Sequence, residues 1–138
     1  MKSAVAVITL GVADLERAVQ FYRDGLGWKT SGITGSEFPY AAVAYFELQH
    51  GLKLALWPRK SISFDTKIPV GTPAATELVL VHYVASKAEI GIIREKVIAA
   101  GGNVITPVTD SFWKGSAAYF QDPDGHLWQV ALNAEVSQ

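Results

Sequence analysis

Two kinds of apolar spacing alternate along this chain, and the order in which they alternate occurs twice. Ala4-Val5-Ala6-Val7-Ile8-Thr9-Leu10 is a short, β-branched run bounded by Gly11, the signature of a buried strand. Asp14 then caps a helix whose apolar positions Leu15, Ala18, Val19, Tyr22 and Leu26 recur every three or four residues, and Gly25 and Gly27 end it. Trp28 to Ile33 predicts a strand, Gly35 to Pro39 a loop and Tyr40 to Leu48 a further strand. His50-Gly51 turns the chain tightly into a strand over Leu52 to Trp57. Pro58 to Thr76, with Pro69, Gly71 and Pro73, predicts a connector, in which Ile62 and Phe64 supply apolar surface for a lid.

Beyond the connector the same order returns. Glu77 to Val84 is an apolar strand, and Ser86 with Glu89 three residues on forms a capping box. Ile90, Ile93, Val97 and Ile98 continue the helix until Gly101-Gly102 closes it. Val104 to Thr106 predicts a strand, Pro107 to Lys114 a loop and Gly115 to Gln121 a strand. Val12-Ala13-Asp14 and Val84-Ala85-Ser86 lie 72 residues apart, each ending a strand and capping a helix. The chain is therefore expected to be α+β: two tandem β-α-β-β-β modules, 4–57 and 77–132, joined by 58–76 into a single domain over 1–138. Neither module has enough strands and helix to bury its apolar face alone, so the halves are expected to build one open, U-shaped sheet of eight strands around a cleft.

The last predicted element is a hairpin. In Gln121-Asp122-Pro123-Asp124-Gly125-His126-Leu127, proline presets a type I turn and Gly125 supplies the positive φ that closes it with a bulge. With Gln121 opposite Leu127, the period of two sets Tyr119 opposite Gln129 and Ala117 opposite Ala131 on one face. Trp128, Val130 and Leu132 point to the other face, so a core lies behind this strand pair and a cavity in front of it.

Composition narrows the function. A net charge of −1 and a pI near 6.3, with no long basic run, lack the footprint of a nucleic-acid binder and favour a small neutral partner or a modest anion. The absence of cysteine excludes disulfides, thiolate nucleophiles and thiolate metal sites. The run Ala4 to Val12 is too short to span a bilayer and leads into a helix cap, so it reads as a strand, with no membrane partner and a cytoplasmic location expected.

The doubled unit, the opening Val7-Ile8-Thr9-Leu10-Gly11-Val12-Ala13-Asp14-Leu15 followed by Phe21-Tyr22, the exit Gly25-Leu26-Gly27-Trp28 and the closing Phe120 to Gln129 segment resemble the vicinal oxygen chelate superfamily. That group holds glyoxalase I, extradiol dioxygenases, methylmalonyl-CoA epimerase, fosfomycin-resistance enzymes and bleomycin-resistance proteins. The resemblance implies a homodimer and, in metal-dependent members, His, Glu or Gln ligands from the first and last strand of each half. Those positions carry over to Val7, about Ala55, Val79 and Gln129. Valine and alanine cannot coordinate a divalent ion, and one neutral amide cannot hold one. The expectation is therefore no metal, no other cofactor and no assigned catalytic residue.

What remains is aromatic surface. Trp57 shares the face of Ala55, Trp113 lies in the loop before the strand that starts at Gly115, and Tyr119 shares the face of Gln129; stacking rings are how a metal-free member would hold a flat ligand. Trp57, Trp113, Tyr119 and Gln129 are thus the expected ligand-binding residues, Gln129 serving either as a polar anchor or as an amide bonded to Tyr119. Trp28 and Trp128 read as core, and Arg59 and Lys114 as rim charges. Glu47 and His50 bracket a hairpin tip, where they make either a metal or acid–base pair or a solvated surface. His82 reads as a core histidine on the face of Leu78 and Leu80, and His126 as part of the turn. The function expected is metal-free binding of an aromatic or amphipathic small molecule; the alternative is a metal-dependent lyase, isomerase or dioxygenase resembling lactoylglutathione lyase.

Overall fold

Val7–Val12 and Lys53–Pro58 pair in parallel as β1 and β4, with Thr9 beside Ala55 and Gly11 beside Trp57. The computed structural model describes residues 1–105, 109–111 and 115–133, with the side chains of 109–111 and 115–116 left aside. The chain forms two compact units, Met1–Thr72 and Pro73–Gln138.

In the first unit β2 (Thr30–Thr34) and β3 (Val43–Glu47) complete a four-stranded sheet in the order β1-β4-β3-β2. Leu10, Val12, Ala44, Phe46, Leu54 and Leu56 are buried on one face, as strand alternation requires. Helix α1 (Leu15–Gln20) covers that face with Leu15, Ala18 and Val19, and Asp14 Oδ1 caps it by accepting the Arg17 N–H at 3.1 Å. The predicted single helix changes pitch: Phe21–Gly25 form a π-helical turn. The wider turn packs Phe21 edge-on to Tyr22, and Tyr22 against Trp28 and Phe46, in an aromatic cluster where Tyr22 and Phe46 are wholly buried. Gly27, at φ +80°, then releases Trp28 N–H to bond Tyr22 O at 2.9 Å.

The stretch predicted as a plain connector contains helix α2 (Arg59–Thr66). It seats on Gly11, where an added Cβ would lie 2.9 Å from Arg59 Cγ and 3.4 Å from Ile62 Cδ1. Apolar packing on a position without a side chain thus holds a helix that has no strong apolar stripe of its own. Phe64 stacks on Tyr40 with ring centroids 4.1 Å apart, so both residues flagged as lid material do fold back onto the first unit.

In the second unit β5 (Val79–Val84), α3 (Lys87–Ala99), β6 (Asn103–Val104), β8 (Gly115–Gln121) and β9 (Leu127–Leu132) repeat the module. The sheet order is β5-β9-β8-β6. Residues Thr109–Ser111, expected in a loop, form a short strand β7 that pairs with β8, so this sheet has five strands. The strands are thus hydrogen-bonded in two sheets, one per unit, and neither is closed. Ser86 Oγ accepts the Glu89 N–H as the predicted capping box requires, while Glu89 Oε2 reaches one residue before the cap and accepts the Ala85 N–H. Ile90 and Val97 of α3 pack on the face that buries Phe120, Trp128 and Val130. The final hairpin has the predicted register, Gln121 with Leu127, Tyr119 with Gln129 and Ala117 with Ala131. Among the described residues no helix is long and apolar enough to cross a membrane.

Candidate functional site

The candidate residues lie on the face of each sheet opposite α1 or α3, and in the first unit α2 covers the Gly11 end of that face. In the first unit Lys53, Ala55 and Trp57 alternate with Leu54 and Leu56 and so share the other face, beside Val7, Thr9 and Gly11 of β1 and beside Tyr45 and Glu47 of β3; Ala55 is itself buried there, while Lys53 and Trp57 are half-buried. Trp57 Nε1 donates to Tyr40 O at 3.3 Å, which leaves its ring, not its N–H, for stacking. Lys53, which sequence reasoning did not single out, stands in this row: its Nζ is 3.6 Å from Glu47 Oε1 and 5.7 Å from the Tyr45 ring centre. Counting back by twos from Trp57 reaches it. Glu47 is therefore engaged by a lysine, and His50 stands apart in a left-handed turn residue at φ 56°, so these two do not form the pair considered for metal or acid–base chemistry.

In the second unit the corresponding row is Val81, Gln129 and Tyr119 on β5, β9 and β8. Gln129 is half-buried, and its side-chain amide makes no hydrogen bond with a described residue. It is therefore not hydrogen-bonded to Tyr119, which is half-buried across the hairpin. Val7 and the buried Ala55 share one face of the first sheet, and Val79 and Gln129 share one face of the second. A metal implied by the family does not fit this donor set, since three of the four side chains carry no lone pair to offer. Among the described residues no group of three or more His, Cys, Asp and Glu could hold a metal ion. Trp113 and Lys114 lie outside the described residues.

Two histidines depart from expectation or extend it. His82 shares the helix side with Leu80 and Trp128, as alternation required, but it is exposed and not core, because β5 is the edge strand of its sheet. Partial desolvation lowers its pKa, and the nearby Glu89 carboxylate opposes that shift. His126 is tied to the turn: Nδ1 lies 2.8 Å from Asp122 Oδ2, while Asp122 Oδ1 accepts the N–H groups of Asp124 and His126 at 3.0 and 2.9 Å. Gly125, at φ +90°, donates its N–H to Asp122 O at 3.0 Å, which is the type I turn and bulge that the sequence predicts. Arg59, expected at a rim, lays its stem on Gly11.

Comparison with known proteins agrees with this architecture. The chain is similar to a glyoxalase-related enzyme from Fulvimarina pelagi, with 32% identity over 96% of this chain and 89% of that one and a TM-score of 0.81. A lactoylglutathione lyase from Agrobacterium tumefaciens shares the fold at 21% identity, covering 99% and 98% of the two chains with a TM-score of 0.67. A genomically encoded fosfomycin resistance protein from Listeria monocytogenes shares it at 20% identity, 96% and 95% coverage and a TM-score of 0.69. No curated protein matches the sequence significantly. The family model for the Glyoxalase/Bleomycin resistance protein/Dioxygenase superfamily matches residues 4–130, and with the paired modules and the closing hairpin this shows that the chain belongs to that superfamily.

Proposed function

We propose that this protein binds a small, flat aromatic or amphipathic molecule without a metal, with Trp57, Trp113, Tyr119 and Gln129 as the ligand-binding residues. The observation that carries the reading is the half-buried Gln129 amide, unbonded to any described residue and set beside Tyr119 and Val81, in a position from which the family's metal-dependent members offer a ligand. An amide offers both a donor and an acceptor, so it orients a neutral polar group, while the Tyr119 and Trp57 rings supply apolar surface. Trp113 belongs to the same proposal from its place in the sequence. The ligand binding proposed here requires shape, stacking and one or two hydrogen bonds, all of which these side chains can give.

The chain is proposed to act as a homodimer. The edge strands β1 and β5 leave Val7, Val79, Val81 and Tyr83 exposed, and covering such edges is a common reason for two-fold association. Light scattering is expected to give about twice the 14.9 kDa chain mass, and the mass of one chain at micromolar concentration contradicts the dimer.

Titration of aromatic natural products and antibiotics, followed by tryptophan fluorescence, tests binding. Saturable quenching is expected, with Gln129→Ala weakening it about five- to tenfold, the worth of one lost hydrogen bond. Turnover of the glutathione–methylglyoxal adduct that a chelator abolishes would instead establish the metal-dependent lyase reading.

A further inference from the structure

The parallel register sets Val79 of β5 beside Leu127 of β9, so the segment entering β5 runs alongside the turn 122–126. Between them lies a pocket lined chiefly by Pro73, Leu78, Leu80 and Leu127, with His126 and Asp124 as its polar side chains. All of these residues belong to the second unit, and none is in the Tyr119–Gln129 row.

The imidazole in this pocket is held in one orientation. Asp122 is only 1% exposed at its side chain, and its Oδ2 meets His126 Nδ1 at 2.8 Å. An ionised carboxylate only accepts, so Nδ1 carries a proton, and in the neutral imidazole the lone pair is then on Nε2. His126 makes no hydrogen bond through Nε2 to any described residue, although its side chain is only 21% exposed. The turn itself needs the Asp122 carboxylate and the backbone amides; it makes no use of Nε2. A fixed acceptor at the edge of an aliphatic pocket suits one chemistry, an apolar body that carries a single hydrogen-bond donor.

We propose that this pocket is a second binding site, which takes a small neutral phenol with its ring against Leu78, Leu80 and Leu127 and its hydroxyl donating to His126 Nε2. With one hydrogen bond and one ring face buried, the affinity is about millimolar.

The test is a titration of the full ¹⁵N-labelled chain with 4-methylphenol and with 4-methylanisole, whose methylated oxygen cannot donate. Saturable shifts at Leu78, Leu80 and the His126 ring nitrogens are expected, with 4-methylanisole bound about fivefold more weakly or worse. Equal affinities, or no saturation at these residues, overturn the proposal. In Asp122→Asn the amide oxygen still accepts the two backbone N–H groups, while its N–H₂ faces Nδ1 and moves the ring proton to Nε2. The preference for the phenol is then expected to disappear as the ¹⁵N tautomer pattern inverts, and a preference that survives the inversion also overturns the proposal. Leu78→Lys, at an exposed position, is expected to weaken both compounds without disturbing the tautomer, which keeps the test decisive if Asp122→Asn does not fold.

Discussion

Asp122 shows how much one side chain can organise: its carboxylate takes two backbone N–H groups and the His126 ring while remaining almost wholly buried. Asp122→Ala strips acceptors from groups that cannot reach water easily, and a loss of about 2–3 kcal/mol is expected by urea unfolding. Gly11 is the opposite case, needed for what it lacks. Gly11→Val would push into Arg59 and Ile62, and a loss of about 1–3 kcal/mol is expected, with Gly11→Ala costing less because the arginine stem can move. His82 supplies a pH dependence. Its pKa is lowered in the folded chain, so the unfolded chain takes up the proton more readily, and the stability it contributes is present above about pH 6.5 and lost on acidification below it. The slope is small because the ring is exposed, and His82→Gln is expected to flatten it in denaturation curves taken across that range. The face of His82 was legible from alternation alone. Its exposure was not, because being at the edge of a sheet depends on which strands pair, and that is decided far away in the chain.

Among elements, those with their own chemistry were legible and those held by neighbours were not. The closing hairpin is fixed by Pro123 and Gly125, and the start of α3 by Ser86 and Glu89, so register and cap both follow from local residues. Ser86→Ala is accordingly expected to cost about 1 kcal/mol, read from the midpoint of chemical unfolding. Helix α2 has no side-chain cap, and it forms where Gly11 leaves room and where Phe64 meets Tyr40. Nothing within residues 59–66 announces it. Strand β7 likewise depends on pairing with β8 and not on any alternation of its own in Thr109–Ser111. The switch from α1 to a π-helical turn at Phe21 has the same origin, since it serves the packing of Tyr22 against Trp28 and Phe46.

For the whole molecule, the repeat of a strand end and helix cap was enough to read two modules, and each module has the sheet order that the repeat implies. The candidate site was legible only as positions on faces: alternation put Ala55 with Trp57 and Tyr119 with Gln129, but that Gln129 is bonded to no described residue, that Ala55 is buried and that Trp57 is bonded to Tyr40 are facts of packing. Function in this superfamily turns on whether those positions hold a metal, and Val7, Ala55 and Val79 offer it no donor atom, which is the ground of the metal-free binding proposed above. The most direct measurement is the metal content of the chain purified without chelator, by mass spectrometry of digested protein. Well below about 0.1 equivalent of Zn²⁺, Ni²⁺, Mn²⁺ or Fe²⁺ per chain is the predicted result, because Val7, Ala55 and Val79 have no donor atoms; about one equivalent that dialysis does not remove would contradict it.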